Sequence, residues 1–262
     1  FSLLFFSIIL TMGKIFLSVV IPSFDEMANL QKGVLDKIEH FLGKKQFPYE
    51  VIIVDDGSTD GSVEFAKRFV QDSPNFRLME NSHLGKAGAV TAGVLNSKGD
   101  YVLFSDMDQA TPIEELDKLL PYLEQDFDIV VGSRDAVRKG APLIRQFVSH
   151  AAIVARKLVV GMPEISDTQC GFKAFKKEAA RKLFTRISKL HNGFKKILGS
   201  SVSSGFDVEL LYLAKHLGYK IKEVPVEWLY VETRRVSPIK DSVEGFMDLL
   251  KIKIKAMRGE YN

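Results

Sequence analysis

Three groups of carboxylates and hydroxyls stand out because each directly follows a short apolar run. They are Pro22-Ser23-Phe24-Asp25-Glu26, Asp55-Asp56-Gly57-Ser58-Thr59-Asp60-Gly61 and Ser105-Asp106-Met107-Asp108-Gln109. A carboxylate beside a buried strand is costly unless it is paired, hydrogen-bonded or bound to a cation. In the third group Asp106 and Asp108 stand two residues apart, so both can reach one point if the chain turns there. Oxygen donors of this type suit Mg²⁺ or Mn²⁺, which in turn bridges phosphate oxygens. Helix capping competes as an explanation for the second group, because Asp55, Asp56 and Ser58 precede a helical segment. Three groups at one sheet edge are harder to explain by capping alone.

The elements that must position these groups follow from apolar periodicity. Short apolar runs at residues 15–21, 51–54, 76–79, 101–104 and 129–131 read as buried strands. Helix-period segments at 27–42, 62–70, 85–96 and 113–124 separate them. Strands alternating with helices imply βαβ units with right-handed crossovers, hence an α/β, doubly wound, mainly parallel sheet with helices on both faces. Ligands in such sheets bind beyond the carboxyl ends of the strands, where the three polar groups fall. After Gly132 the alternation weakens: helices are expected at 143–160, 177–187 and 208–216, strands at 172–175 and 221–226, and a polar loop at 188–205. No Pro-, Gly- or Ser-rich linker intervenes, so residues 15–240 read as one domain.

Composition narrows the function classes. With 262 residues, 46% hydrophobic, 26% charged and 9 prolines, the chain is neither disordered, collagenous nor a coiled coil. A single cysteine, Cys170, excludes a disulfide framework and a cysteine-based zinc site, and with no partner histidine it reads as a packing residue. The 36 basic and 33 acidic residues are too balanced to mark a nucleic-acid binder. No G-x-G-x-x-G follows the first strand, which disfavours a Rossmann oxidoreductase. Gly85-Lys86-Ala87-Gly88 is not a P-loop, because Ala87 stands where Ser or Thr is required. His83 is the one histidine placed near these motifs.

Both ends bear on membranes. Residues 1–14 form an apolar segment too short to span a bilayer and without the basic flank of a signal peptide. Two readings stay open: the stump of a longer anchor, or extraneous residues before a natural start at Met12. Residues 241–262 read as a basic helix, with Val243, Phe246, Leu249, Leu250, Ile252, Ile254 and Met257 as its apolar set and Lys251, Lys253, Lys255 and Arg258 as its cations. Such a helix either packs on the domain with a solvated lysine face or lies on an anionic membrane. Ile252 and Ile254, set between lysines, blur its period.

In combination, VVIPSFDE, VIIVDDGSTDGS, GDYVLFSDMDQATP and IVVGSR resemble the GT-A fold glycosyltransferases of family 2. Asp167-Thr168-Gln169-Cys170-Gly171-Phe172-Lys173 and Gly205-Phe206-Asp207-Val208-Glu209-Leu210-Leu211 are similar to the polyprenyl-phosphate branch, most of all to its dolichyl-phosphate β-glucosyltransferases. The resemblance extends over residues 16–258. It implies that Pro22, Ser23, Glu26, Val54, Asp55 and Asp56 bind the nucleotide, one of the two aspartates accepting a base N–H. It also implies that Lys86 lies near the nucleotide, and that Asp106, Met107 and Asp108 contact the diphosphate, the two aspartates holding Mg²⁺ or Mn²⁺. Mannosyl relatives often place a glutamine two residues after the second aspartate; here that residue is Ala110, and Gln109 comes one early. Arg134 matches an arginine facing the phosphates, and Arg234 and Arg235 replace a basic pair in a loop over the donor. Asp167 and Gln169 fall on the sugar and acceptor side. Asp207 stands where hydroxyl-using relatives keep a catalytic aspartate, with its role here left open.

The reaction so implied is inverting transfer of a hexose, from UDP-glucose in the first instance, to a polyprenyl (dolichyl) phosphate at the cytoplasmic side of a membrane, as in protein glycosylation. The alternatives are GDP-mannose as donor, a sugar hydroxyl as acceptor, or a nucleotide-binding module without turnover. No Q-x-x-R-W string supports the processive hydroxyl-using kind.

Overall fold

The computed structural model describes residues 14–134, 161–162, 164–194, 204–229 and 238–261. Strand β2 (Tyr49–Asp55) is buried along its whole length, and β1 (Leu17–Ser23) at all but one residue. A strand covered on both faces shows as an unbroken apolar run, which is why so short a signal suffices. Five more strands complete the sheet among the described residues: β3 (Phe76–Glu80), β4 (Tyr101–Ser105), β5 (Ile129–Arg134), β6 (Phe172–Lys176) and β7 (Ile221–Val226). Their spatial order is β3-β2-β1-β4-β6-β5-β7. All neighbours are parallel except β6, which runs antiparallel to β4 and to β5. The mainly parallel, doubly wound sheet expected from the alternation is therefore present, with one reversed strand in its interior.

The described helices are α1 (Met27–Leu30), α2 (Val34–Gly43), α3 (Ser62–Asp72), α4 (Gly85–Leu95), α5 (Leu116–Glu124), α6 (Lys177–Leu190), α7 (Ser204–His216) and α8 (Pro238–Met257). They cover both faces, and successive residues of β1 feed opposite cores. Val20 joins α4, α6 and α7 through Val90, Leu183 and Leu211, whereas Val19 and Ile21 join α2 and α5 through Leu35, Ile38 and Leu119. Each such side chain, taken fully out of water, contributes about 1.5–3 kcal/mol before conformational entropy is subtracted.

Three expectations change. The single helix at 27–42 is two, broken at Gly33, whose φ of 71° is the left-handed region that glycine adopts without a Cβ penalty. The helix expected from 208 begins at Ser204, which brings Asp207 into its first turn, where a carboxylate is favoured by the helix dipole. The C-terminal helix runs from Pro238 to Met257 rather than over 241–262. The apolar segment at 1–13, the helix expected at 143–160, and Arg234 and Arg235 lie outside the described residues.

Candidate active site

The loops after β1 and β2 are tied into one unit at the carboxyl edge of the sheet. Register pairs Pro22 with Val54 and Ser23 with Asp55, and the Asp56 amide donates to the Ser23 carbonyl at 2.8 Å. Thr59 N donates to Asp25 Oδ1 at 2.7 Å, Asp25 N to Ser58 Oγ at 2.9 Å, and Glu26 N to Ser62 Oγ at 2.9 Å. Both aspartates of the pair are deeply committed to this framework. Asp55 accepts from the Gly57 and Ser58 amides at 2.9 and 3.0 Å and from Ser58 Oγ at 2.5 Å. Asp56 accepts from the Leu84 and Gly85 amides at 2.8 and 2.7 Å, so it caps α4 rather than the helix that follows it in sequence. Burial pushes the Asp56 carboxyl up, only partly countered by these amides and by His83. Capping therefore explains much of this group, and a base N–H would have to take the carboxylate lone pairs that remain.

His83 is at this wing, as expected. Its Nδ1 lies 2.7 Å from the Asp56 carbonyl oxygen, and its ring stacks on Phe24 with centroids 4.4 Å apart. Phe24 is a neighbour that sequence reasoning did not single out. Val54 and Met107 turn their side chains into the cores, so what they offer a ligand is backbone. Asp25, His83 and Gln109 all have left-handed φ, 51°, 48° and 48°, on the loops after β1, β3 and β4. Non-glycine residues held there store strain, which concentrates at functional sites.

The second wing is built on charge. Asp56 holds Gly85, and the next residue, Lys86, reaches forward to place Nζ 2.6 Å from Asp106 Oδ1. Burial alone would lower the Lys86 pKa, but the carboxylates of Asp106, Asp207 and Asp108 outweigh it and raise the ammonium above its ordinary value. Asp106 keeps about a third of its side-chain surface open. Gly171 backs it so closely that a Cβ there would lie 1.9 Å from Asp106 Oδ2. Because β6 is reversed, the residues before it, 167–171, are the ones that reach this edge.

Arg134, at the end of β5, is clamped by Asp167. Nε and Nη2 donate to the two carboxylate oxygens at 2.7 and 2.9 Å, and the Arg134 amide adds a third bond at 3.1 Å. Burial would lower the guanidinium, yet the bonds and charge of Asp167 hold it raised; the same pair keeps the Asp167 carboxyl, which burial would raise, below the carboxylate range. Glu223 of β7 fixes this loop through the Ser166 and Asp167 amides at 3.0 and 2.7 Å. Gln169 is exposed beside it. Cys170 is buried and its thiol is pushed up chiefly by that burial, consistent with packing rather than nucleophilic use.

Lys173 was missed. It is fully buried in β6, donates to Asp207 Oδ1 at 2.5 Å and to the Cys170 carbonyl at 2.7 Å, and lies 5.5 Å from the centre of the Phe104 ring. The signal was a cation in a strand expected to be covered on both faces, which obliges a buried partner. Asp106, Asp108, Lys86, Asp207, Lys173, Arg134 and Asp167 thus form one continuous electrostatic site.

Among the described residues no three His, Cys, Asp or Glu side chains converge as a metal cage. Asp106 and Asp108 are nonetheless hard oxygen donors, and Gln109 Oε1 is buried without a hydrogen-bond partner. That donor set fits a cation such as Mg²⁺, which takes one or two carboxylates and fills its remaining positions with phosphate oxygens and water.

Known proteins agree with this reading of the fold and family. The sequence model described as "Glycosyl transferase family 2" matches residues 18–184. A dolichyl-phosphate beta-glucosyltransferase of Dictyostelium discoideum is 34% identical over 94% of this chain and 76% of its own length. The proteins of that name from Saccharomyces cerevisiae and Homo sapiens are 31% and 32% identical, over 95% and 94% of this chain and 77% of their own lengths. Among solved structures, the mannosyltransferase PcManGT of Pyrobaculum calidifontis, in complex with GDP-Man and Mn²⁺, superposes with a TM-score of 0.60 at 20% identity, over 94% of this chain and 65% of its own. S. aureus TarS 1-349 in complex with UDP gives 0.53 at 16% identity, over 92% and 66%. The structural likenesses establish the GT-A fold and nothing finer.

Proposed function

The chain belongs to glycosyl transferase family 2, and we propose that, within it, this glycosyltransferase moves glucose from UDP-glucose to dolichyl phosphate, with inversion, at the cytoplasmic face of a membrane. The observation that carries the reading is the 2.6 Å pair of Lys86 with Asp106, set beside Asp108 and Asp207 at the carboxyl edge of the sheet. Positive charge from Lys86, and from a divalent cation that Asp106 and Asp108 would hold, is what a diphosphate leaving group requires. The similarity to proteins named dolichyl-phosphate beta-glucosyltransferase over nearly the whole chain supports the acceptor and the sugar.

In this reading an oxygen of the lipid phosphate attacks the anomeric carbon. The bond from that carbon to the diphosphate oxygen breaks, and its electron pair stays with the nucleoside diphosphate. A phosphate monoester has a second pKa near ~6, so at neutral pH the acceptor is already a dianion and no general base is needed. That frees Asp207 from the role of base; held by Lys173, it would order the acceptor side or contact a donor hydroxyl. Lys86, released from Asp106 by the donor, would face the diphosphate, and the Asp167-clamped Arg134 would present its remaining guanidinium N–H. Asp106 and Asp108, with Gln109 Oε1 at hand, would hold Mg²⁺ or Mn²⁺, which supplies Lewis-acid neutralisation of the leaving diphosphate. Arg234 and Arg235 would add positive charge over the donor.

The test is a product assay with Mg²⁺ or Mn²⁺, a short polyprenyl phosphate, and UDP-glucose, GDP-mannose or UDP-GlcNAc in separate tubes, read by mass spectrometry of the organic phase. Lipid-phosphate hexose from UDP-glucose alone, lost in Asp108→Ala and on chelation, is the expected result. Product from GDP-mannose alone, or only with a sugar-hydroxyl acceptor, overturns the assignment.

A further inference from the structure

Helix α8 is amphipathic twice over. Its inner face is seated on the domain: Leu249 and Ile252 are buried in the core shared with α7, and Ala256 packs against it. Gly205 of α7 permits the close approach, since a Cβ there would fall 2.8 Å from that of Asp248. Lys255 Nζ donates to Glu209 Oε1 at 2.8 Å, Tyr261 OH to the same oxygen at 2.6 Å, and Arg186 Nη2 to the Tyr261 carbonyl at 2.7 Å. These bonds fix which side of the helix faces out.

The outward side is apolar. Phe246 is 47% exposed, Met247 49%, Ile254 47% and Met257 79%. At about 100° per residue, Phe246, Met257, Leu250, Ile254 and Met247 fall in one stripe about 100° wide. Lys253 borders it on one side, and on the other stand Lys251, which pairs with Asp248 at 2.9 Å, and Arg258, 3.9 Å from Glu260. No acidic residue lies within the stripe; Asp248 lies toward the inner side. The puzzling spacing of Ile252 and Ile254 between lysines is thereby explained, because the two isoleucines serve opposite faces.

Single exposed apolar residues are ordinary, but a stripe with cationic margins is not. A second copy of this chain would bring the same margins into opposition. Anionic headgroups complement them, while the apolar side chains enter the acyl boundary and the lysine stems extend to the phosphates. Among the described residues no helix is long and apolar enough to cross a membrane, so such contact is in the plane of the surface. We infer that the outer face of α8 is a docking surface for an anionic lipid bilayer. The inference extends the reading of a lipid-borne acceptor, but it is tested apart from the chemistry.

The full chain is floated with phosphatidylcholine vesicles with and without phosphatidylserine, as wild type, Met247→Glu/Ile254→Glu and Lys251→Glu/Lys253→Glu/Arg258→Glu. The expected result is a preference of the wild type for anionic vesicles that fades with salt, a roughly ten-fold weaker association of the first variant, and loss of the anionic preference in the second. Unfolding midpoints and turnover of a water-soluble short-chain acceptor stay at the wild-type level in both variants. Equal vesicle binding by all three proteins, or none by the wild type, overturns the inference. So does a wild-type dimer that the variants dissociate while vesicle binding is unchanged. Vesicle binding that behaves as expected, without turnover of any acceptor, removes the proposed reaction and leaves the surface standing.

Discussion

Replacing Lys173 by methionine isolates the interaction that the site depends on most and that nothing at the surface can substitute. Lys173 is fully buried, and Asp207 keeps only 9% of its side-chain surface open. Methionine matches the stem in volume, so the change removes a charge, the 2.5 Å bond to Asp207 and the 2.7 Å bond to the Cys170 carbonyl, without leaving a large void. Removing one partner of a buried pair typically costs about 3–5 kcal/mol, because the other charge is stranded away from water. For a domain of this size each kcal/mol shifts the unfolding midpoint by about 2–4 °C, so Lys173→Met should lower it by roughly 6–20 °C. The stranded charge, rather than the lost bond, makes up most of that. Lys173→Met/Asp207→Asn should therefore be more stable than Lys173→Met alone, with a coupling energy of about 1–3 kcal/mol in a double-mutant cycle. The assay is thermal and urea unfolding of the four proteins, with turnover measured in parallel. A shift under about 2 °C for Lys173→Met, or strictly additive single effects, would refute the reasoning.

Other perturbations separate placement from folding. Gly171→Ala puts a Cβ against Asp106 Oδ2 and forces the carboxylate off Lys86; kcat/KM should fall about 100-fold, in line with misplacing a site group by about 1 Å, while the melting curve barely moves. An unchanged kcat/KM would show that turnover does not depend on where the Asp106 carboxylate is held. Glu209, which burial would raise, is instead held at about 2 by His191, Lys255 and Tyr261. Its folded pKa lies below the unfolded value of 4.5, so its contribution is present above pH 4.5 and is lost as pH falls toward 2. Wild type and Glu209→Gln should thus differ by about 3 kcal/mol in urea unfolding at pH 7 and converge in acid, whereas a constant gap would refute this. Cys170, buried with its thiol pushed up, should resist iodoacetamide in the native protein at pH 8 and react on unfolding; rapid native labelling would contradict its burial.

How much of this was legible follows from the range of each interaction. Strands β1, β2 and β4 declared themselves as apolar runs, and the polar groups after them marked the working edge. The charge partners did not, because Asp207 lies 34 residues from Lys173, and Asp167 lies 33 from Arg134. Lys173 stands in a strand expected to be covered on both faces, so its burial was readable, whereas the partner it meets there was not. Asp55 and Asp56 looked alike in sequence, yet one closes its own turn and the other caps α4 from 28 and 29 residues away. Buried Glu50, bound to Ser18 Oγ at 2.7 Å and Arg77 Nε at 3.1 Å among the elements rather than at the site, shows that a carboxylate in a strand is not by itself a mark of chemistry. The break at Gly33 was readable in principle, since glycine inside a helical pattern is its commonest stop.

The reversed strand in the interior of the sheet has a bearing on how the chain is made. Strands β3, β2, β1 and β4 are contiguous in sequence and mutually paired, so they can assemble as soon as residue 105 has left the ribosome. Strand β5, by contrast, pairs among the described residues only with β6 and β7, and both are synthesised after it. Until β6 emerges, β4 presents an open hydrogen-bonding edge and β5 has no place to dock, an interval in which a growing chain is open to mispairing. Closure then brings Lys173, Gly171 and Asp167 to the site in a single event, so the pocket and the finished sheet come into being together. An incomplete chain released before residue 176 would carry Lys86, Asp106 and Asp108 but not Asp207.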